Sequence, residues 1–291
     1  MEYHQDRFDD YSLLVFKAEK LIAVIPANIN DDNLYSHQGL TYGGFVFNES
    51  LKLNEVIQVF KNVLKFLESK NILNFEMKLM PSIYSTFPNE EIDYLLFILN
   101  GKLIRRDVLS VIDNTSEPIS ISNIRKRGVK KGKEQNLVIR EEHNFENFWE
   151  KVLIPNLKSQ HNTKPVHSLQ EIKILHKCFP KNIRQFNIYR NNEIVGGTTV
   201  FETKNVAHIQ YISATENKQE LGSLDFLFKH LMNNIFKNKR FFDFGISNEN
   251  KGKNINEGLL YWKESFGART IIQDFYTLKT SNHNLLNNIM I

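Results

Sequence analysis

The sequence has a single cysteine, Cys178, in 291 residues. One thiol cannot form an intrachain disulfide, and this usage fits a reducing compartment. Cys178 stands between Leu175 and Phe179 and reads as a core residue, not a nucleophile. Long apolar runs are also missing: the longest, residues 94–99, falls far short of the ~20 residues that a membrane span needs. The opening residues, MEYHQDRFDD, are polar and acidic, which predicts a chain without the hydrophobic part of a secretory signal. No charge dominates: 37 Lys and Arg against 33 Asp and Glu leave +4, too little for a dedicated DNA-binding protein. The nine histidines show neither an HExxH pattern nor paired-ligand spacing, so no metal is expected. Walker and Rossmann glycine patterns are absent as well. With 41% hydrophobic and 24% charged residues, the chain reads as a soluble, cytoplasmic globular protein of two domains or one large one.

What is present reads as one supersecondary unit used twice. In the second half, residues 136–142 alternate as a strand, and 145–160 and 168–178 follow a helical period, with Ser168 as a cap ahead of Gln170 and Glu171. Residues 185–190, 193–202 and 206–213 are strand-like, with Asn191-Asn192 and Lys204-Asn205 at the turns. A polar loop leads to an apolar helix over 221–236, a strand over 240–246, a helix over 256–265 and a strand over 269–279. In the first half, strands over 13–16, 21–29 and 33–41 precede a helix over 54–70. That helix carries an apolar stripe of Val56, Ile57, Phe60, Val63, Leu64 and Leu67. A strand over 73–80, a helix over 89–99 and a strand over 103–113 complete the half. This is the second-half order without its opening β-α-α, and His37 answers His208 at an offset of 171 (208 − 37). The expected fold is α/β (α+β), with two tandem mixed β-sheet units and flanking helices. The N-terminal unit, residues 1–118, is truncated; the C-terminal unit is 119–291.

The order β-α-α-β-β-β-α-β-α-β resembles the GNAT acyltransferase fold, and two such units in tandem resemble the Fem-like acyltransferases. The likeness is carried by Asn256-Glu257-Gly258-Leu259-Leu260-Tyr261-Trp262-Lys263-Glu264-Ser265-Phe266-Gly267-Ala268, similar to a closing helix that an Asn opens and a Gly ends. Phe242-Asp243-Phe244-Gly245 is similar to the Fem-type branch. Leu40-Thr41-Tyr42-Gly43-Gly44, Arg125-Lys126-Arg127-Gly128, Pro165-Val166-His167 and His208-Ile209-Gln210-Tyr211 give a looser likeness across most of the chain. Some Fem-like enzymes modify nucleotide-linked amino sugars in surface-polysaccharide (O-antigen or capsule) pathways. The resemblance therefore implies small-molecule substrates: acyl-CoA as donor, bound on the C-terminal unit, and such a sugar as acceptor.

Helix N-termini bind anions through unpaired N–H groups, so Gln219, Gly222 and Ser223 are candidates for the donor pyrophosphate. They match a Gln-x-x-Gly pattern that the fold implies, except that Leu224 stands where a small residue belongs; an ordinary polar loop is the alternative. Asn256 joins this group as the residue that opens the closing helix. Where related enzymes carry a Tyr on that helix, this chain has Lys263, a candidate for stabilising a developing oxyanion; a solvated surface lysine is the alternative. His208 and Asp243 are the candidate bases, on two neighbouring strands that splay apart in the implied fold, although both also fit structural hydrogen bonding. Tyr211 is a candidate proton donor or, equally, a core aromatic. Tyr42 and Tyr84, beside glycines and in an aromatic loop, are candidates for the acceptor groove, against simple turn and packing roles. Arg125 and Arg127 in the dense basic run suit a phosphate-rich ligand, against a solvated helix, and the run lacks the interleaved aromatics of an RNA surface. His167, after Pro165-Val166, is a candidate acceptor contact, against an incidental loop histidine.

Three readings follow. The first is an acyl-CoA-dependent N-acyltransferase acting on a nucleotide-linked amino sugar. The second is an aminoacyl-tRNA-dependent enzyme that extends a peptidoglycan precursor, as other Fem-like proteins do. The third is a non-catalytic binding module, which the missing closing-helix Tyr keeps open.

Overall fold

A computed structural model of the protein describes residues 5–116 and 120–289. Their arrangement divides the chain into two compact units that interleave in sequence. The described residues of one fall within 1–107, 248–254 and 272–291; those of the other fall within 108–247 and 255–271. The expected boundary near residue 118 therefore gives way to an exchange of strands. The strand Lys102–Asp113, which sequence order assigns to the first half, places its end against Phe241–Ile246 of the second. The last strand, Arg269–Lys279, pairs through its own end with Asn74–Lys78 of the first. Hydrogen-bond ladders reward any matching amphipathic strand, so the nearest partner in space wins over the nearest in sequence.

In the first unit, Asn33–Tyr35 runs parallel to Asn74–Lys78, and the helix Leu53–Ser69 connects them. The predicted stripe of that helix, Val56 to Leu67, is buried against Leu34, Phe45 and Phe75. Burying each of these large side chains contributes on the order of 1.5–3 kcal/mol. Two strand expectations change here. Residues 21–29 split at Pro26 into Lys20–Ile25 and Asn28–Asn30, which join different sheets. The run 33–41 stops at Tyr35, because His37 takes a left-handed φ of 49°, incompatible with a continuing strand. His37 is thus not a strand counterpart of His208.

In the second unit, strands Val138–Glu142, Ile183–Arg190, Glu193–Glu202, Val206–Ala214 and Phe241–Ile246 lie in reverse spatial order, and only the last pair is parallel. The Asn191-Asn192 turn has φ of 48° and 65°, the left-handed pair that a two-residue hairpin requires. Ser168 caps the helix Leu169–Cys178 reciprocally with Glu171. Cys178, expected in the core, lies exposed in the last turn of this helix, off the face that buries Ile172. One core cluster joins Phe186, Ile188, Val200 and Ile209 to Leu227, Phe228 and Leu231; a second gathers Phe145, Phe148 and Trp149 around Ile183 and Tyr211. Among the described residues no helix is long and apolar enough to cross a membrane.

Candidate active site

Val206–Ala214 and Phe241–Ile246 are joined by the parallel pairs Val206–Phe241, Ala207–Phe242 and His208–Asp243, and there the pairing stops. Both strands run on, so a wedge opens past His208 and Asp243. Two backbone irregularities hold it open. Gly245 has φ of 72°, and the register with residues 109–113 slips between Asp243 and Ile246. On the other side, the register between Glu193–Glu202 and Val206–Ala214 skips Gln210. Phe242 and Phe244 anchor the bent strand in the core against Phe228, Trp262 and Phe266, which turns Asp243 to the opposite face, as alternation predicts.

At the vertex, the Asp243 carboxylate is fully buried. Its Oδ2 lies 2.8 Å from His208 Nδ1, and its Oδ1 accepts the Gly245 N–H at 2.7 Å. A carboxylate only accepts, so Nδ1 carries the proton and the lone pair of the neutral imidazole sits on Nε2. The Lys263 side chain, in the helix Glu257–Glu264, is 3% exposed and donates to the carbonyls of Gly245 (3.0 Å) and Ile246 (2.6 Å). Its third N–H has no partner among the described residues. Burial lowers the Lys263 pKa to about 8, against the opposing pull of the Asp243 charge. The solvated-lysine alternative is thereby removed. The structure thus brings His208, Asp243 and Lys263 together, and adds Gly245, which the sequence carries in the Phe242–Gly245 motif but which was not among the candidate site residues. Its signal was a glycine inside an otherwise strongly apolar strand.

The remaining candidates lie elsewhere. Tyr211 and His167 meet each other: the Tyr211 hydroxyl accepts the His167 backbone N–H at 2.9 Å and lies 2.6 Å from His167 Nδ1, both side chains being buried. Asn256 caps the closing helix, its side chain accepting the Leu259 N–H at 3.0 Å. Gln219 is exposed in the short helix Lys218–Leu221, and Ser223 is fully buried at the start of Ser223–His230. Gly222 between them has φ of 64°, and a Cβ there would stand 2.1 Å from the Gly128 carbonyl oxygen. This glycine serves the close approach of the helix Asn123–Glu134. Arg125 pairs with the buried Asp225 at 2.6 Å, whose second contact is the Trp262 Nε1–H at 3.2 Å. Burial raises the Asp225 pKa, and the Arg125 charge partly reverses this. Arg127 is exposed on the same helix.

Tyr42 and Tyr84, in the first unit, pack ring to ring at 4.4 Å. There the parallel pair that corresponds to the wedge stays closed. Ser36 N–H reaches the Glu76 carbonyl at 2.9 Å, Lys78 N–H reaches Ser36 Oγ at 2.8 Å, and Gly43 N–H reaches the Lys78 carbonyl at 2.8 Å. A bridge between Gly43 and Leu79 extends the seam. Lys78 was not singled out in the sequence; its ammonium donates to the Leu40 carbonyl at 2.6 Å, and burial lowers its pKa to about 8. Among the described residues no three His, Cys, Asp or Glu side chains converge as metal ligands.

No family model matches the sequence, and no curated protein matches it. Solved structures do. FemX aligns with a TM-score of 0.66 at 9% identity over 95% of this chain and 89% of its own. The DUF2156 C-terminal domain of a candidate lysylphosphatidylglycerol synthetase from Agrobacterium fabrum gives 0.62 at 12% identity, covering 96% and 86%. L-PGS from Bacillus licheniformis gives 0.61 at 10% identity, covering 96% and 87%. At such identity these similarities establish the fold, the tandem mixed-sheet architecture expected from the sequence.

Proposed function

We propose that the protein is an acyltransferase that moves an acyl group from acyl-CoA to the amino group of a nucleotide-linked amino sugar. The observation that carries the reading is the buried Asp243–His208 pair at the point where two parallel strands part, with Lys263 beside it. In this reading the thioester lies in the wedge and the acceptor amine attacks its carbonyl carbon. His208 Nε2 takes the amine proton as the C–N bond forms, and Asp243 holds the ring in the required tautomer and steadies its positive form. The third N–H of Lys263 faces the developing oxyanion. Collapse of the tetrahedral intermediate breaks the C–S bond, and the proton held by His208 passes to the departing thiolate. Gln219, Gly222, Ser223 and Asn256 stand on the donor side of this proposal. Arg125, Arg127 and His167 of the second unit are its acceptor-side candidates, with Tyr211 orienting His167 through its hydroxyl; Tyr42 and Tyr84 are acceptor candidates on the first unit.

A second reading takes an aminoacyl ester, such as aminoacyl-tRNA, as donor. Two observations favour it: Gly222 is packed under the Gly128 carbonyl, and one fold neighbour is named for the synthesis of lysylphosphatidylglycerol, an aminoacylated lipid. A mass-spectrometric screen of amino-sugar nucleotides against several acyl-CoAs, with a parallel arm of radiolabelled aminoacyl-tRNA and a cell-wall precursor, separates the two. Acyl transfer that His208→Ala abolishes without unfolding supports the first. Transfer only from the tRNA ester replaces it with the second, and inertness toward every donor returns the protein to the binding-module reading.

A further inference from the structure

A cavity of about 730 Å³ lies in the second unit, and its lining includes none of His208, Asp243 and Lys263. Its volume is that of a small-molecule site. Met232, Phe241 and Ile271 give it an apolar floor, and Lys126, Lys229 and Arg269 bring three cations to it. Among the described residues the one carboxylate in the lining is Asp113, already committed to its own turn: it accepts the Thr115 N–H at 2.9 Å and the Thr115 hydroxyl at 2.6 Å. Neither Lys126 nor Lys229 makes an ion pair or hydrogen bond among the described residues, although Arg125, one position earlier, is matched to Asp225. Lys229 is half-buried, and its pKa is lowered first by that burial and then by the Lys126 charge. Arg269 uses one guanidinium nitrogen on the Ala268 carbonyl and has the rest of its fork to offer.

Two like charges held near each other at the rim of an apolar cavity destabilise the empty protein. The same arrangement stabilises a bound anion, because each ammonium gains a partner and the mutual repulsion falls. We propose that this cavity binds a phosphate ester whose organic part is apolar or aromatic. The phosphate sits between Lys126, Lys229 and Arg269, and the organic part rests on Met232, Phe241 and Ile271. Phe241 precedes Asp243 by two residues on one strand, about 7 Å at the ~3.3 Å rise of a strand. An occupied cavity would therefore brace the strand that carries the vertex.

Titration calorimetry of the full chain at low ionic strength tests this with n-octyl phosphate, uridine 5′-diphosphate, inorganic phosphate and n-octanol as probes. One or both of the organic phosphates should bind at least tenfold more tightly than inorganic phosphate or octanol. The preference between them tells an alkyl body from a nucleotide one. The double variant Lys126→Ser/Lys229→Met should weaken that binding by about tenfold or more, since each lost charge-assisted contact is worth about that factor. Binding should also weaken with added salt. His208→Ala should leave it unchanged, which keeps the test independent of acyl transfer. Where the double variant fails to fold, Arg269→Ser, at an exposed position, carries the same expectation. No binding of either organic phosphate at millimolar concentration, equal binding by the variants, or loss in His208→Ala would each overturn the proposal.

Discussion

Lys263 makes a quantitative test of the vertex possible. Its pKa falls from 10.5 to about 8 in the folded protein, and burial is the main cause. Such a drop corresponds to about 3 kcal/mol at ~1.4 kcal/mol per pKa unit. Between pH 8 and 10.5 the unfolded chain holds this proton and the folded one does not, so stability rises with pH across that window. Below pH 8 the cost of burying the charge is fully present. Lys263→Met keeps the volume and removes the titration. Lys78, with the same depressed value, is present in both proteins and cancels in the difference. Urea unfolding of both proteins from pH 7 to pH 9.5 should show the wild type gaining about 2 kcal/mol relative to the variant, most of it above pH 8. The offset at pH 7 is not diagnostic, because the variant also leaves the Gly245 and Ile246 carbonyls without their donor. A difference that stays flat within about 0.5 kcal/mol, or that falls with pH, would refute a buried, charge-costly Lys263.

His208→Ala should reduce acyl transfer by about 10²–10⁴-fold with an unchanged circular-dichroism spectrum, and Asp243→Asn should lower kcat while leaving donor KM nearly as it is. Gly128→Ala places a Cβ 1.9 Å from Asp225 Oδ2 and forces the Arg125–Asp225 pair apart; a loss of about 1–3 kcal/mol in denaturant unfolding is expected. Gly245→Ala meets no close atom, the nearest being His208 Cε1 at 3.5 Å, yet it must adopt φ of 72°. A cost of about 1–2 kcal/mol together with reduced turnover is expected, and unchanged stability would show that the bend does not depend on the glycine.

Local chemistry was legible in the sequence wherever a short stretch decides the outcome. Asn191-Asn192 made the hairpin, Ser168 and Asn256 made their caps, and the stripe on 54–70 found its core. Strand partners were not, because Lys102–Asp113 and Arg269–Lys279 are both amphipathic and nothing within either says which sheet it completes. Cys178 was misread for a related reason: Phe179 beside it is itself exposed, so apolar neighbours did not mark a buried face. Alternation between two phenylalanines foretold the face that Asp243 takes, whereas Lys263 was singled out only through the resemblance of its helix to one that carries a Tyr. Tyr211 and His167 are 44 residues apart, and no spacing announces their hydrogen bond.

Each half of the chain contains a parallel strand pair joined by a helix, yet only the second pair opens. In the first, the chain after Tyr35 turns through His37 and returns at Gly43 to the same strand, where a Cβ would stand 2.2 Å from the Ser36 carbonyl oxygen. A glycine is therefore needed to close that seam, whereas the other opens where the strand bends at Gly245 with its left-handed φ. The buried charges follow the same division: Lys78 meets one carbonyl beside a closed pair, whereas Lys263 meets two at the bend of an open one. Two units can in this way keep one parallel pair closed and the other open without any change in the order of strand, helix and strand that builds each pair.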